Sequence, residues 1–121
     1  MQSKKIKTDK LKGTTLDWAV AQAIGVKTVL RSDGLFMDTN PSQRWMPSTD
    51  WSQGGPLISQ FKVMLDHDFE EFSTQEEPCY AESQYFWAIG ESELIALCRA
   101  IVKRHLGETV PVPPQLLPEG Q

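Results

Sequence analysis

The chain has 121 residues, 40% of them apolar and 23% charged, and a formal net charge of −4. That length fits one domain with a real core. The acidic balance argues against duplex DNA as the main partner, because a DNA-binding protein usually presents a basic face. No apolar run approaches the ~20 residues needed to cross a bilayer.

The charge is unevenly spread. Lys4, Lys5, Lys7, Lys10 and Lys12 crowd the N-terminus. Residues 1–12 therefore read as a basic, polar arm, solvated more often than anion-binding. No apolar region follows it, so it does not read as a secretion signal and the expected location is the cytoplasm. Thr14 and Thr15 then offer N-caps, and Thr14-x-x-Asp17 has the form of a capping box. Leu16, Ala19, Val20, Ala23 and Ile24 recur at helical spacing, and Gly25 is placed as a stop, which predicts a helix over 15–24. Asp33-Gly34 between Thr28-Val29-Leu30 and Leu35-Phe36-Met37 predicts a tight hairpin.

Residues 38–55 read as one long loop, punctuated by Pro41, Pro47 and Pro56. Trp45 and Trp51 within it favour order, since disordered segments are poor in aromatics. Pro56 suits the first position of a short helical turn. Phe61, Val63 and Leu65 alternate with polar residues and predict a strand. Residues 66–78 are acidic, with Asp66, Asp68, Glu70, Glu71, Glu76 and Glu77, and read as a surface loop. Residues 79–89 read as one strand, antiparallel to 61–66. Ser92 caps a final helix to about 106, with Gly107 as its stop. The Pro-rich tail, 110–121, is expected to be extended and laid along a domain spanning 13–109.

The polar groups of the long loop stand out as a recognition surface. Ser48, Thr49, Asp50 and Gln53 supply donors and acceptors around Trp51, and Gly54-Gly55 lets the backbone approach a ligand closely. Trp18 and Trp51 are candidate opposed walls for a flat ring, and stacking on a base contributes roughly 1–3 kcal/mol. The Gly54-Gly55 amides and a helix start at Pro56 would hold a phosphate. The competing reading is that both indoles complete a core and the loop's polar groups satisfy one another.

Catalytic readings are weaker. His67, in Asp66-His67-Asp68, has the neighbours of a metal or acid–base group but reads as a solvent-exposed loop residue. Asp17 and Asp50 are either paired carboxylates or, as favoured, a helix cap and an Asx-turn. Cys79 and Cys98 read as reduced core thiols, and their spacing matches no zinc pattern. No Walker loop is present, because Gln53-Gly54-Gly55-Pro56 lacks the lysine and hydroxyl. The sequence thus names no catalytic residue, metal ligand set or cofactor.

Leu16-Asp17-Trp18-Ala19-Val20-Ala21 resembles the opening of the phage NinX-like proteins of tailed phages and prophages. The segment from Pro47 to Ile58 resembles that family's central motif. The ending is similar as well, with Trp87-Ala88, Leu94-Ile95-Ala96, Arg99, Gly107 and the Val-Pro tail. The likeness runs over about residues 11–117, while the Lys-rich arm and the longer acidic stretch depart from it. It implies a phage or prophage origin and a small accessory role during infection, and it transfers no catalytic residue.

The expectation is an α+β domain with two main helices on a small, mainly antiparallel sheet. Its expected role is non-enzymatic binding of a nucleotide-like small molecule through 47–56, for example to sequester a host immune signal. The site would comprise Trp18, Ser48, Thr49, Asp50, Trp51, Gln53, Gly54 and Gly55. The alternative is an inhibitor or adaptor of a host defence protein, with 66–77 mimicking nucleic acid and Trp45, Trp51 and Phe69 as hot spots. A homodimer is compatible with the small domain, and no membrane partner is expected.

Overall fold

The computed structural model describes residues 2–117; Met1 and residues 118–121, the end of the Pro-rich tail, lie outside them. The fold is mixed α+β, with three helices and three small antiparallel sheets among the described residues. Strand β1 (Lys4–Lys7) leads into helix α1 (Gly13–Ile24), then the hairpin β2 (Thr28–Arg31) and β3 (Gly34–Met37). Helix α2 (Trp51–Gln60) precedes strands β4 (Val63–His67), β5 (Cys79–Ser83) and β6 (Phe86–Gly90). Helix α3 (Glu93–Leu106) and strand β7 (Thr109–Val112) complete the order.

The two amphipathic helices form where the periodicity places them. Gly25 ends α1 in the left-handed region at φ 82°, with its N–H on the Ala21 carbonyl. Ser92 caps α3, its hydroxyl accepting the Ile95 N–H at 3.2 Å. The β2–β3 hairpin closes over Ser32-Asp33, with Arg31 opposite Gly34.

Three differences from the sequence reading have physical causes. Residues 51–55 are not loop: α2 begins at Trp51, capped by the Asp50 carboxylate on the Ser52 N–H at 2.9 Å. Pro56 therefore falls inside the helix, not at its start. Gly54 is buried in α2, and a Cβ there would overlap the Pro47 carbonyl and lie 2.7 Å from Leu94 Cδ2. Tertiary packing needs the absent side chain and overrides poor helix propensity. The run 79–89 is two strands, β5 and β6, reversing at Gln84 and Tyr85 with φ 46° and 76°. The basic arm is not frayed: β1 pairs with β7, Lys4 opposite Val112 and Ile6 opposite Val110.

The core lies between α3, α1 and the β4–β5–β6 sheet. The sheet's inner face carries Val63, Cys79, Ala81 and Ala88, all buried against α3. On its outer face the acidic stretch folds back: Phe69 stacks on Tyr80 at 4.7 Å and Phe72 packs on Trp87 at 4.1 Å. Buried Arg99 pins that stretch from the inside, pairing with Glu77 and donating to the carbonyls of Leu11 and Ile89 at 2.9 Å.

Candidate functional site

The start of α1 and the segment 44–49 face each other across a hollow of about 420 Å³. Gly13, Thr14 and Asp17 form one side; Arg44, Trp45, Met46 and Thr49 form the other, with Leu35 from the turn end of the hairpin. Pockets of 300–1,000 Å³ are the usual range for small ligands.

Asp17 organises this region. It does not cap α1, as the Thr14-x-x-Asp17 spacing predicts; instead its carboxylate accepts the Ser48 N–H at 2.8 Å. Its backbone carbonyl accepts the Trp45 indole N–H, also at 2.8 Å. One residue of α1 thus holds two points of the facing segment. The Asp17 side chain is buried, and burial pushes its pKa up to about 6 against the opposing influence of the Ser48 hydroxyl and N–H. That hydroxyl is fully buried and lies near the carboxyl, but outside good hydrogen-bond geometry.

Gln53 holds the segment from the other side. Its side chain accepts the Met46 N–H and donates to the Arg44 carbonyl, both at 2.6 Å. Arg44 leans over the Phe36 ring at 5.0 Å and reaches the Asp33 carbonyl. The α1 N-terminus receives no side-chain cap from Lys12. Helix starts leave N–H donors without intrahelical partners, so the rim at Gly13 and Thr14 offers positive potential.

Of the sequence-derived site residues, Thr49 alone lines the hollow; Ser48 and Gln53 brace lining residues, through Asp17 and through Arg44 and Met46. Asp50 is spent as the α2 cap, accepting Ser52 N–H and Ser52 Oγ–H. Asp17 and Asp50 have separate partners and do not form a carboxylate pair. The Gly54 amide donates to the Asp50 carbonyl within α2, so no Gly54-Gly55 nest is available for a phosphate. Trp18 lies in a different hollow, with Gln22, Thr28, Leu30 and Pro113. Trp51 is 52% exposed and lines neither hollow, so the two indoles do not face each other across a ligand space. Trp45 is buried and Phe69 is stacked, so neither is a free hot spot.

Sequence reasoning missed Arg44, Met46, Thr14 and Gly13. One available signal was the position of Asp17 between Leu16 and the i+4 residue Ala21, which turns a charged residue toward the core. Cys98 is buried, and burial pushes its thiol well above the usual range, which suits a packing residue rather than a nucleophile. Away from the hollow, one group of metal-type side chains converges among the described residues: His67, Cys79 and Glu93. Among the described residues, no helix is long and apolar enough to cross a membrane.

No curated protein matches the chain. The family model for bacteriophage P22 NinX matches residues 7–105, from within the basic arm to the last turn of α3 and so including Asp17, Trp45, Ser48 and all of α2. This phage protein is a member of the NinX family.

Proposed function

We propose that this NinX protein is a non-enzymatic binding module in the host cytoplasm, and that its ligand is a small nucleotide-like molecule held in the hollow between α1 and residues 44–49. The observation that carries the reading is Asp17, a buried carboxyl with its pKa near 6 opening into a hollow that Arg44 also lines. A carboxylate accepts from an exocyclic amino group. A guanidinium and a bare helix N-terminus favour an anionic group. Trp45, Met46 and Leu35 supply the apolar wall, and Thr14 and Thr49 the hydroxyls. Sequestration of a host signal nucleotide would fit a phage accessory protein.

Calorimetry against mono-, di- and cyclic nucleotides tests this. The expected result is micromolar or tighter binding to at least one, weakened at least tenfold by Arg44→Ala and by Thr49→Val. Absence of heat with every member of the panel overturns it. Docking on a host protein is the second reading, favoured by the exposed indole of Trp51 at the head of α2. Recovery of one host protein by wild type but not by Trp51→Ala would support it, and recovery of none would remove it.

A further inference from the structure

His67, Cys79 and Glu93 are far apart in any short motif, and the topology gathers them. The β4–β5 register sets His67 directly opposite Cys79. Both side chains belong to the sheet face that α3 covers, because Val63, Ala81 and Cys79 on that face are buried against the helix. Glu93 opens α3, whose start is fixed by the Ser92 cap. The Glu93 carboxylate thereby lands between the thiol and the imidazole.

The distances carry the argument. His67 Nε2 lies 3.4 Å from Glu93 Oε2, and Cys79 Sγ lies 3.8 Å from Glu93 Oε1. All three ligand atoms fall within 4.8 Å of one another. Zinc bonds of about 2.0–2.1 Å to nitrogen, 2.0–2.2 Å to oxygen and 2.3 Å to sulfur imply tetrahedral edges of about 3.3 Å for N···O and about 3.6 Å for S···O. The His67 contact matches the first value and the Cys79 contact is slightly longer than the second; they end on the two different oxygens of Glu93, so a single oxygen serves both partners once the carboxylate turns. As hydrogen bonds the same contacts are long. As an ion pair, His67 and Glu93 are both substantially exposed, and such pairs contribute little to stability.

We propose that His67 Nε2, Cys79 Sγ and a Glu93 carboxylate oxygen bind one divalent transition-metal ion of the zinc type, with water as the fourth ligand on the solvent side. Mixed thiolate, imidazole and carboxylate ligation is borderline in softness, which selects zinc or cobalt(II) over magnesium or calcium. The buried thiol forms the floor and loses its proton on binding, while the half-exposed imidazole forms the rim. The site shares no residue with the hollow beside Asp17, so it stands or falls independently of the nucleotide reading.

Cobalt(II) titration of the full reduced chain tests the proposal. The expected result is one ion per chain, with a thiolate-to-metal charge-transfer band and the intense visible bands of tetrahedral coordination. Zinc should displace it. Cys79→Ser should abolish the charge-transfer band, and His67→Asn and Glu93→Gln should each weaken binding at least about tenfold. Circular dichroism establishes that each variant is folded. If Cys79→Ser fails to fold, the other two decide, since their side chains are partly exposed. Absence of the band at stoichiometric cobalt overturns the proposal. So does a band that persists unchanged in both His67→Asn and Glu93→Gln, which would mean that the thiol binds alone.

Discussion

The carboxylate of Asp17 and the backbone N–H of Ser48 meet at 2.8 Å inside the protein, joining the first helix to the segment before the second. The bond spends a buried charge on positioning. A carboxylate held in that setting is poorly solvated, and its raised pKa is the direct sign of it.

The first prediction follows from that pKa. Asp17 binds its proton more tightly in the folded state, with a pKa of about 6, than an ordinary aspartate does at 3.8. Between those values the native state holds more protons than the unfolded state, so stability falls as pH rises through the window. The loss is complete above about pH 6 and amounts to roughly 2–3 kcal/mol. Asp17→Asn keeps an acceptor for the Ser48 N–H and removes the charge. Urea denaturation from pH 4 to 7 should show a shallower fall for the variant. Parallel curves for variant and wild type would contradict the assignment.

The two glycines of α2 should respond differently. Gly54→Ala would drive a methyl into the Pro47 carbonyl and Leu94, and overpacking of this kind costs about 1–3 kcal/mol. Gly55→Ala meets only Trp51 Cε3, at an ordinary 3.6 Å, and its gain in helix propensity is offset by the clash of a pre-proline Cβ with the Pro56 ring, so it should change stability by about 0.5 kcal/mol or less. Thermal melts of the pair provide the check, and equal shifts would refute the packing account.

The two indoles of the central segment should also separate. Trp45→Phe removes the donor to the Asp17 carbonyl in a buried setting and should cost about 1–3 kcal/mol. Trp51→Ala removes a largely exposed ring and should change stability by about 0.5 kcal/mol or less. Denaturant midpoints for both, at unchanged m-value, are the measurement.

Arg99→Leu would strip hydrogen bonds from the Leu11 and Ile89 carbonyls and leave Glu77 without its partner. Leaving a buried carbonyl without its donor costs about 1–3 kcal/mol, while Glu77, with its side chain 31% exposed, is left to solvent. The acidic stretch should then release, read as faster proteolysis within 66–78 than in wild type. Unchanged cleavage there would show that the Phe69 and Phe72 stack alone holds the segment.

Local chemistry made α1, α3 and the β2–β3 hairpin legible, because each carries both a periodic stripe and a terminator: Gly25, Ser92 with Gly107, and Asp33-Gly34. Helix α2 was hidden, since Gly54, Gly55 and Pro56 each disfavour a helix and only Pro47 and Leu94, distant in sequence, explain the first of them. The β5–β6 reversal was hidden too, because Gln84-Tyr85 takes positive φ without the usual Asn or Gly. At the hollow, Thr49 and Ser48 were readable as polar loop residues. Arg44 was not, since its place depends on a bridge between Phe36 and Arg44 that no spacing announces.

The pairing of β1 with β7 sets a timetable for the newly made chain. Lys4 finds its partner at Val112, so every residue between them must be synthesised before β1 has anything to zip against. Contacts of such separation are slow to close and close late. Until that pairing closes, Val110, Val112 and Leu116, all buried in the finished fold, lack their shelter.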